Sequence, residues 1–171
     1  MDIDGLLVDV MSRVRDAVPE VLDGLSEDDL AWRPDPEANS IGWLVWHLTR
    51  VADDHVAEVA GVEQVWTSGG WYERFGLPFE PQAHGYGHSS DDVAKVRVAG
   101  GLLADYHRET AELVLGYLAT LRPDDLDRVV DDRWDPPVTL GVRLVSVVND
   151  LTQHVGQAAY VRGLLQFQLD R

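Results

Sequence analysis

From Leu140 to about Gln166, apolar side chains return at three- and four-residue steps. Val145, Val148, Leu151, Val155, Ala158 and Ala159 form the row, with Arg162 in line. That period is helical. Within it, Asp150 and His154 are four residues apart, so their side chains rise from one face of the helix, one turn above the other. A carboxylate and an imidazole so placed can share one divalent cation, and the rest of the chain is then asked for a third ligand.

Three further stripes of the same period precede this one. Ile3, Leu6, Leu7, Val10, Val14, Val18 and Leu22 predict a helix over 2–24. Pro19 should kink it or end its regular part, and Gly24 should stop it. Ser26, followed by Glu27, Asp28 and Asp29, predicts a short helix, and Arg33 to Pro36 reads as a connection. Ser40 caps a second long helix, Ile41 to about Ala60, striped by Ile41, Leu44, Val45, Leu48, Val51 and Ala52, with Trp43 and Trp46 alongside. His47 lies next to that stripe. Residues 61–90 break the period and read as a long loop with a turn of helix at 71–75. Structureless connections of this length inside a compact domain are unusual and often functional. Ser89 or Ser90 opens a third helix over about 91–121, in two pieces if Gly100-Gly101 interrupts it. Its buried face runs through Leu102, Leu103, Tyr106, Thr110, Leu113, Val114 and Tyr117. A short turn follows at 122–126. Strand character is confined to about Arg128–Val130, and residues 131–137 form a loop. Thr139 caps the last helix. Four long helices with loops between them predict an all-α four-helix bundle, a single domain over 1–171.

Composition excludes several classes. With 14 basic and 30 acidic residues the net charge is −16, which argues against nucleic acid and anionic membranes as partners, since both demand a basic footprint. The 171 residues contain no cysteine, so disulfides, thiolate metal sites and cysteine nucleophiles are absent. Met1-Asp2-Ile3-Asp4 lacks the basic start of a signal peptide, and no apolar run approaches the ~18 residues of a membrane span. A cytoplasmic protein is expected.

Six histidines are present: His47, His55, His84, His88, His107 and His154. His47 with Asp150 and His154 offers three N/O ligands from two helices and leaves a fourth position open, as in catalytic rather than structural zinc sites. Imidazoles plus a carboxylate suit Zn²⁺, with Ni²⁺, Fe²⁺ and Mn²⁺ as alternatives. Spacing alone is more often the mark of a surface ion pair. His84 and His88 read as site residues or as exposed loop residues. His55 and His107 read as ordinary surface or core histidines, the tryptophans as mostly core, and Asp53-Asp54 as a solvated acidic face.

Three motifs carry a resemblance. Ser40-Ile41-Gly42-Trp43-Leu44-Val45-Trp46-His47-Leu48 resembles the second-helix motif of the DinB/YfiT-like metal-binding four-helix bundles. Asp150 to Gln157, with Arg162 after it, resembles their last-helix motif, and Leu25 to Pro34 resembles their first connection. The likeness spans nearly the whole chain. It implies a metal held by His47, Asp150 and His154, where some relatives have glutamate in place of Asp150. Trp71-Tyr72-Glu73-Arg74-Phe75-Gly76 and Gly85-Tyr86-Gly87-His88 look most like the actinobacterial branch that includes mycothiol S-transferases. The related mycothiol-dependent maleylpyruvate isomerases carry a further C-terminal domain, and this sequence stops soon after the fourth helix, which favours the transferase.

What the resemblance implies is chemistry with a borrowed thiol. Mycothiol, a sugar-based and hydroxyl-rich thiol, would take the open metal position and be conjugated to an electrophilic small molecule, a detoxification. Trp71, Arg74, Tyr86 and His88 of the loop, with Tyr72 and His84, are the expected thiol-binding groups, and Gln157 could join them. The partners expected are thus a small-molecule thiol and an electrophile, and a homodimer stays open. The rival readings are a metal-dependent hydrolase, a mycothiol-dependent isomerase on the same bundle, and a non-enzymatic metal-binding module.

Overall fold

The structure, a computed structural model, describes residues 3–169. It is a helical bundle. The four long helices are α1 (Ile3–Leu22), α3 (Ile41–Ala60), α7 (Gly100–Leu118) and α8 (Leu140–Leu169). Short helices fill the connections: α2 (Glu27–Ala31), α4 (Val65–Ser68), α5 (Trp71–Phe75) and α6 (Ser90–Ala94). A small hairpin pairs β1 (Val129–Asp131) antiparallel with β2 (Val138–Thr139), just ahead of α8. Both α1 and α3 pack against α7 and α8, so every long helix has two bundle neighbours. Val18, Ile41, Leu44, Leu48, Leu103, Leu118, Leu140 and Leu151 are at most 1% exposed. Burying a side chain of this kind contributes about 1.5–3 kcal/mol.

Local chemistry places the helix starts. Ser26 and Ser89 each build a capping box, with Asp29 and Asp92 answering three residues later. The Ser40 hydroxyl accepts from the Trp43 backbone N–H at 3.1 Å. Gly61, at φ 71°, ends α3 in the left-handed conformation. Arg162 donates to the carbonyls of Glu20 and Val21, satisfying the C-terminal end of α1 from α8.

Four expectations shift. Pro19 does not stop α1, which runs on to Leu22; a proline three residues from a helix end removes little. The segment over 91–121 is two helices divided before the glycines. Residues 95–99 are not helical, because Val96 and Val98 drop into the core there, and Gly100 opens α7. The loop over 61–90 contains α4 as well as α5. The buried row of α8 is Leu140, Leu144, Val147, Leu151, Val155, Ala158, Val161 and Leu165. Val145, in the predicted row, is 65% exposed.

Candidate metal centre

His47 sits on the second turn of α3. Asp150 and His154 sit one turn apart near the middle of α8. The packing of α3 on α8 brings them together: one nitrogen or oxygen of each lies within 4.8 Å of the others. His154 Nε2 is 3.5 Å from Asp150 Oδ2. Two ligand atoms bound to one tetrahedral zinc at about 2.0–2.1 Å would lie roughly 3.4 Å apart, so this spacing suits a shared cation. The rings of His47 and His154 meet edge to face at 4.8 Å between centroids.

Each imidazole is held by its other nitrogen. His47 Nδ1 bonds the backbone carbonyl of His84. A carbonyl only accepts, so Nδ1 carries the proton and Nε2 presents its lone pair. His154 Nδ1 bonds Gln157 Oε1 at 2.9 Å, with the same consequence. Outer partners of this kind fix the tautomer and orientation of metal-binding histidines. Trp43 completes the seat. Its ring stacks on His47 at 4.6 Å, meets His154 edge-on, and its Nε1 donates to His88 Nδ1 at 3.2 Å.

Gly85 explains how the loop reaches His47. Its φ is +99°, and a Cβ there would lie 2.6 Å from His47 Nδ1. Only glycine permits that approach with that backbone. The loop is anchored by Arg50, whose side chain is fully buried. Arg50 donates to the carbonyls of Ala83 and Pro81 and to Gln64 Oε1, and stacks over Trp66.

The electrostatics agree with a cation. Asp150 Oδ1 is buried with no hydrogen-bond partner among the described residues, which is costly unless something else satisfies it. Burial pushes the Asp150 carboxyl up, but the bond to His154 and the charges of the histidines outweigh that and hold it below the usual carboxylate range. Burial lowers His47 below the ordinary histidine range, which favours its neutral imidazole. His154 is raised, chiefly by Asp150. The place between Nε2 and Oδ2 that a proton takes is the place a cation would take. Among the described residues this is the one cluster of three such groups, and the residues fit a divalent metal.

The other expected site residues divide. Tyr86, 88% exposed, and His84 line a cavity beside the triad, with Val51, Ser146 and Val147. His88 is half-buried, stacked on Trp46 at 5.6 Å and bonded to Trp43. Gln157 serves His154. Trp71 and Arg74 are not brought to the triad. Trp71 is 3% exposed, donates to Glu109 on α7, and packs against Phe75 and Tyr106, while Arg74 lies over its ring. Two further readings need correction. Asp53 is not solvated. It is fully buried and accepts from the backbone N–H groups of Val65 and Trp66 and from the Tyr106 hydroxyl at 2.7–2.8 Å. His55 is no ordinary surface residue: it walls the cavity beside the triad. Its position eight residues after His47, two turns on along one face, was the available signal.

Fold and site define the class: a DinB/YfiT-like helical bundle with a histidine–aspartate–histidine cluster between two helices. Within it, the chain belongs to the mycothiol-S-transferase family, whose model matches residues 6–166. The crystal structure of a conserved protein from Enterococcus faecalis is similar, with a TM-score of 0.90 and 32% identity. That match covers 96% of this chain and 98% of the other. No curated protein matches the chain. Among the described residues no helix is long and apolar enough to cross a membrane.

Proposed function

We propose that this chain is a zinc-dependent mycothiol S-transferase acting in cytoplasmic detoxification: the sulfur of mycothiol, its proton released, bonds to an electrophilic carbon of a small molecule as that carbon's leaving group departs with the electron pair of its broken bond. The observation that carries the reading is the convergence of His47, Asp150 and His154, each imidazole held at Nδ1 so that Nε2 is free for a metal. The chain's membership of the family supplies the thiol. A divalent cation held by His47, Asp150 and His154 would lower the pKa of a bound thiol and so supply a thiolate nucleophile at neutral pH.

The chain's own residues do the rest. Gln157 and the His84 carbonyl hold both imidazoles in the ligating tautomer. Asp150 offsets the cation's charge, and its depressed pKa keeps it ionised at neutral pH. Trp43 and the Gly85 backbone shut one side of the site against water, leaving access through the cavity beside Tyr86 and His55. The protein has no cysteine, so no internal thiol competes for the cation.

The test is turnover of a chromogenic electrophile by zinc-loaded protein with and without mycothiol. Thioether formation that requires both zinc and thiol, and is absent in His154→Ala, is the expected result. Zinc-dependent hydrolysis of esters or amides that proceeds without thiol would assign the site to a hydrolase instead.

A further inference from the structure

The groove between α3 and α8 continues past the triad. On α3, His47, Val51, Asp54, His55 and Glu58 follow at helical steps and share a face. On α8, which runs the opposite way, Asp150, Val147, Ser146 and Arg143 answer them. Two hollows lie along this line. The first, about 160 Å³, is the cavity beside the triad. The second, about 360 Å³, is walled by Asp54, Glu58, Gln64, Arg133 and Arg143. His55 belongs to both walls, so the hollows adjoin. Eleven residues separate His47 from Glu58, about 16 Å along a helix.

The second hollow is polar and its groups are already oriented. Arg143, whose side chain is 11% exposed, pairs with Glu58 at 2.5 Å and Asp131 at 3.7 Å and reaches His55 Nδ1 at 3.3 Å. Arg133 pairs with Asp131 at 2.7 Å, and Gln64 donates to Asp54 at 2.7 Å. Two guanidinium groups stand against three carboxylates. A free anion entering here meets the acids, and a cation meets the arginines. An uncharged polyol meets neither penalty and finds fixed donors and acceptors for its hydroxyls. Trp71, another aromatic source in the sequence, donates to Glu109 on α7 instead, and Arg74 lies over the Trp71 ring.

We propose that the hollow formed by Asp54, Glu58, Gln64 and Arg143 is the subsite for the uncharged, hydroxyl-rich sugar portion of the thiol. His55 marks the junction with the metal cavity. This assignment rests on the reading of the triad as a thiol site.

Two measurements on zinc-loaded protein test it. The first is the ratio of kcat/KM for mycothiol to that for N-acetylcysteine, which has no sugar. The subsite predicts a preference for mycothiol in the wild type that falls about tenfold or more in Glu58→Gln and in Asp54→Asn. Both substitutions keep the helix and the side-chain size. The second is calorimetric titration with the sugar portion of mycothiol carrying an acetyl group in place of its cysteinyl group, so that it stays uncharged; it should bind the wild type and lose measurable heat in Glu58→Gln. A wild-type ratio that both variants keep overturns the subsite and leaves thiol transfer standing. Loss of fragment binding in the variant, in a protein that turns over no thiol, keeps the subsite and overturns thiol transfer. A wild type that neither prefers mycothiol nor binds the fragment overturns the subsite outright.

Discussion

α3 carries two polar clusters three residues apart, and they are finished differently. Arg50 and Asp53 point into the bundle and are 0% exposed. Asp53 has three donors and Arg50 four acceptors, and their charges oppose each other at 3.6 Å. That hydroxyl of Tyr106 serves both as acceptor for Arg50 and as donor to Asp53. His47, by contrast, belongs to a cluster left open: half-exposed partners, one carboxylate oxygen without a donor, and two imidazole nitrogens aimed at common space. A closed buried network fixes a structure, because each member left alone costs its desolvation. An open one fits a ligand from outside. Orphaned atoms alone do not make the distinction. His107 Nε2 and Thr110 Oγ1 also lack partners among the described residues, yet they are sealed at a core cavity of about 10 Å³. Convergence and access separate the triad from them.

The largest effects come from deleting one member of each cluster. Asp53→Ala leaves Arg50 buried and unpaired and should destabilise by about 3–5 kcal/mol, read as a lower midpoint in urea. His154→Ala should lose zinc by elemental analysis while its urea midpoint stays close to that of the metal-free wild type. Removing zinc with a chelator should likewise spare helical circular dichroism and abolish thiol transfer. If His154→Ala unfolds, or keeps full zinc, the contrast between a structural and a functional cluster fails.

The sealed histidine gives a pH effect of similar size. Burial lowers His107 from 6.5 to about 4. The folded state therefore refuses a proton that the unfolded chain accepts between those values. Stability from this residue is fully present above pH 6.5 and is lost as pH falls toward 4, a swing of about 3 kcal/mol. His47, His55 and His88 are lowered too and act in the same sense. Subtracting the urea stability curve of His107→Gln isolates the one residue. An unchanged pH slope in that variant would show that His107 takes up its proton without unfolding.

Between the clusters runs the loop, and Gly85→Ala probes it. The added methyl meets His47 Nδ1 at 2.6 Å on a backbone at φ +99°. His47 must turn or the loop must lift, and either disturbs the His84 carbonyl contact. Zinc affinity should fall about 10–100-fold, with a smaller loss of stability than Asp53→Ala. Normal zinc affinity in Gly85→Ala would mean that the loop does not position His47.

These tests also mark what the chain disclosed beforehand. The long helices and the Asp150–His154 pair were legible because they rest on local periodicity and on i, i+4 spacing, whereas His47, on another helix, entered through its place beside the apolar stripe and the resemblance of its motif. The role of Asp53 was not. Its donors are the backbone N–H groups of residues 65 and 66, at the start of α4, and the Tyr106 hydroxyl, all distant in sequence, and no pattern in the neighbouring residues announces such bonds. The division before α7 was hidden for a related reason. Val96 and Val98 alternate toward the core over too few residues to break a helical reading. Trp71 and Arg74 were misplaced because composition says that a loop is rich in binding groups without saying which way it folds. Tertiary packing against Glu109 and Tyr106 decided that.

The smallest effect is also the most discriminating. Gln157 is exposed, and its one described contact is the bond from His154 Nδ1. In Gln157→Ala that N–H turns to water, the ring gains freedom, and zinc affinity should weaken about tenfold, read by competition with a chelating dye. Gln157→Glu puts a stronger acceptor in the same place. It should restore wild-type affinity or better, because a carboxylate raises the basicity of the ligating Nε2. Neither change should move the urea midpoint, since no buried surface is altered. The outcome distinguishes a residue that positions the metal from one that touches the thiol. Were Gln157→Ala to keep wild-type zinc affinity but raise the KM for mycothiol, Gln157 would belong to the substrate wall and His154 would be held by α8 alone.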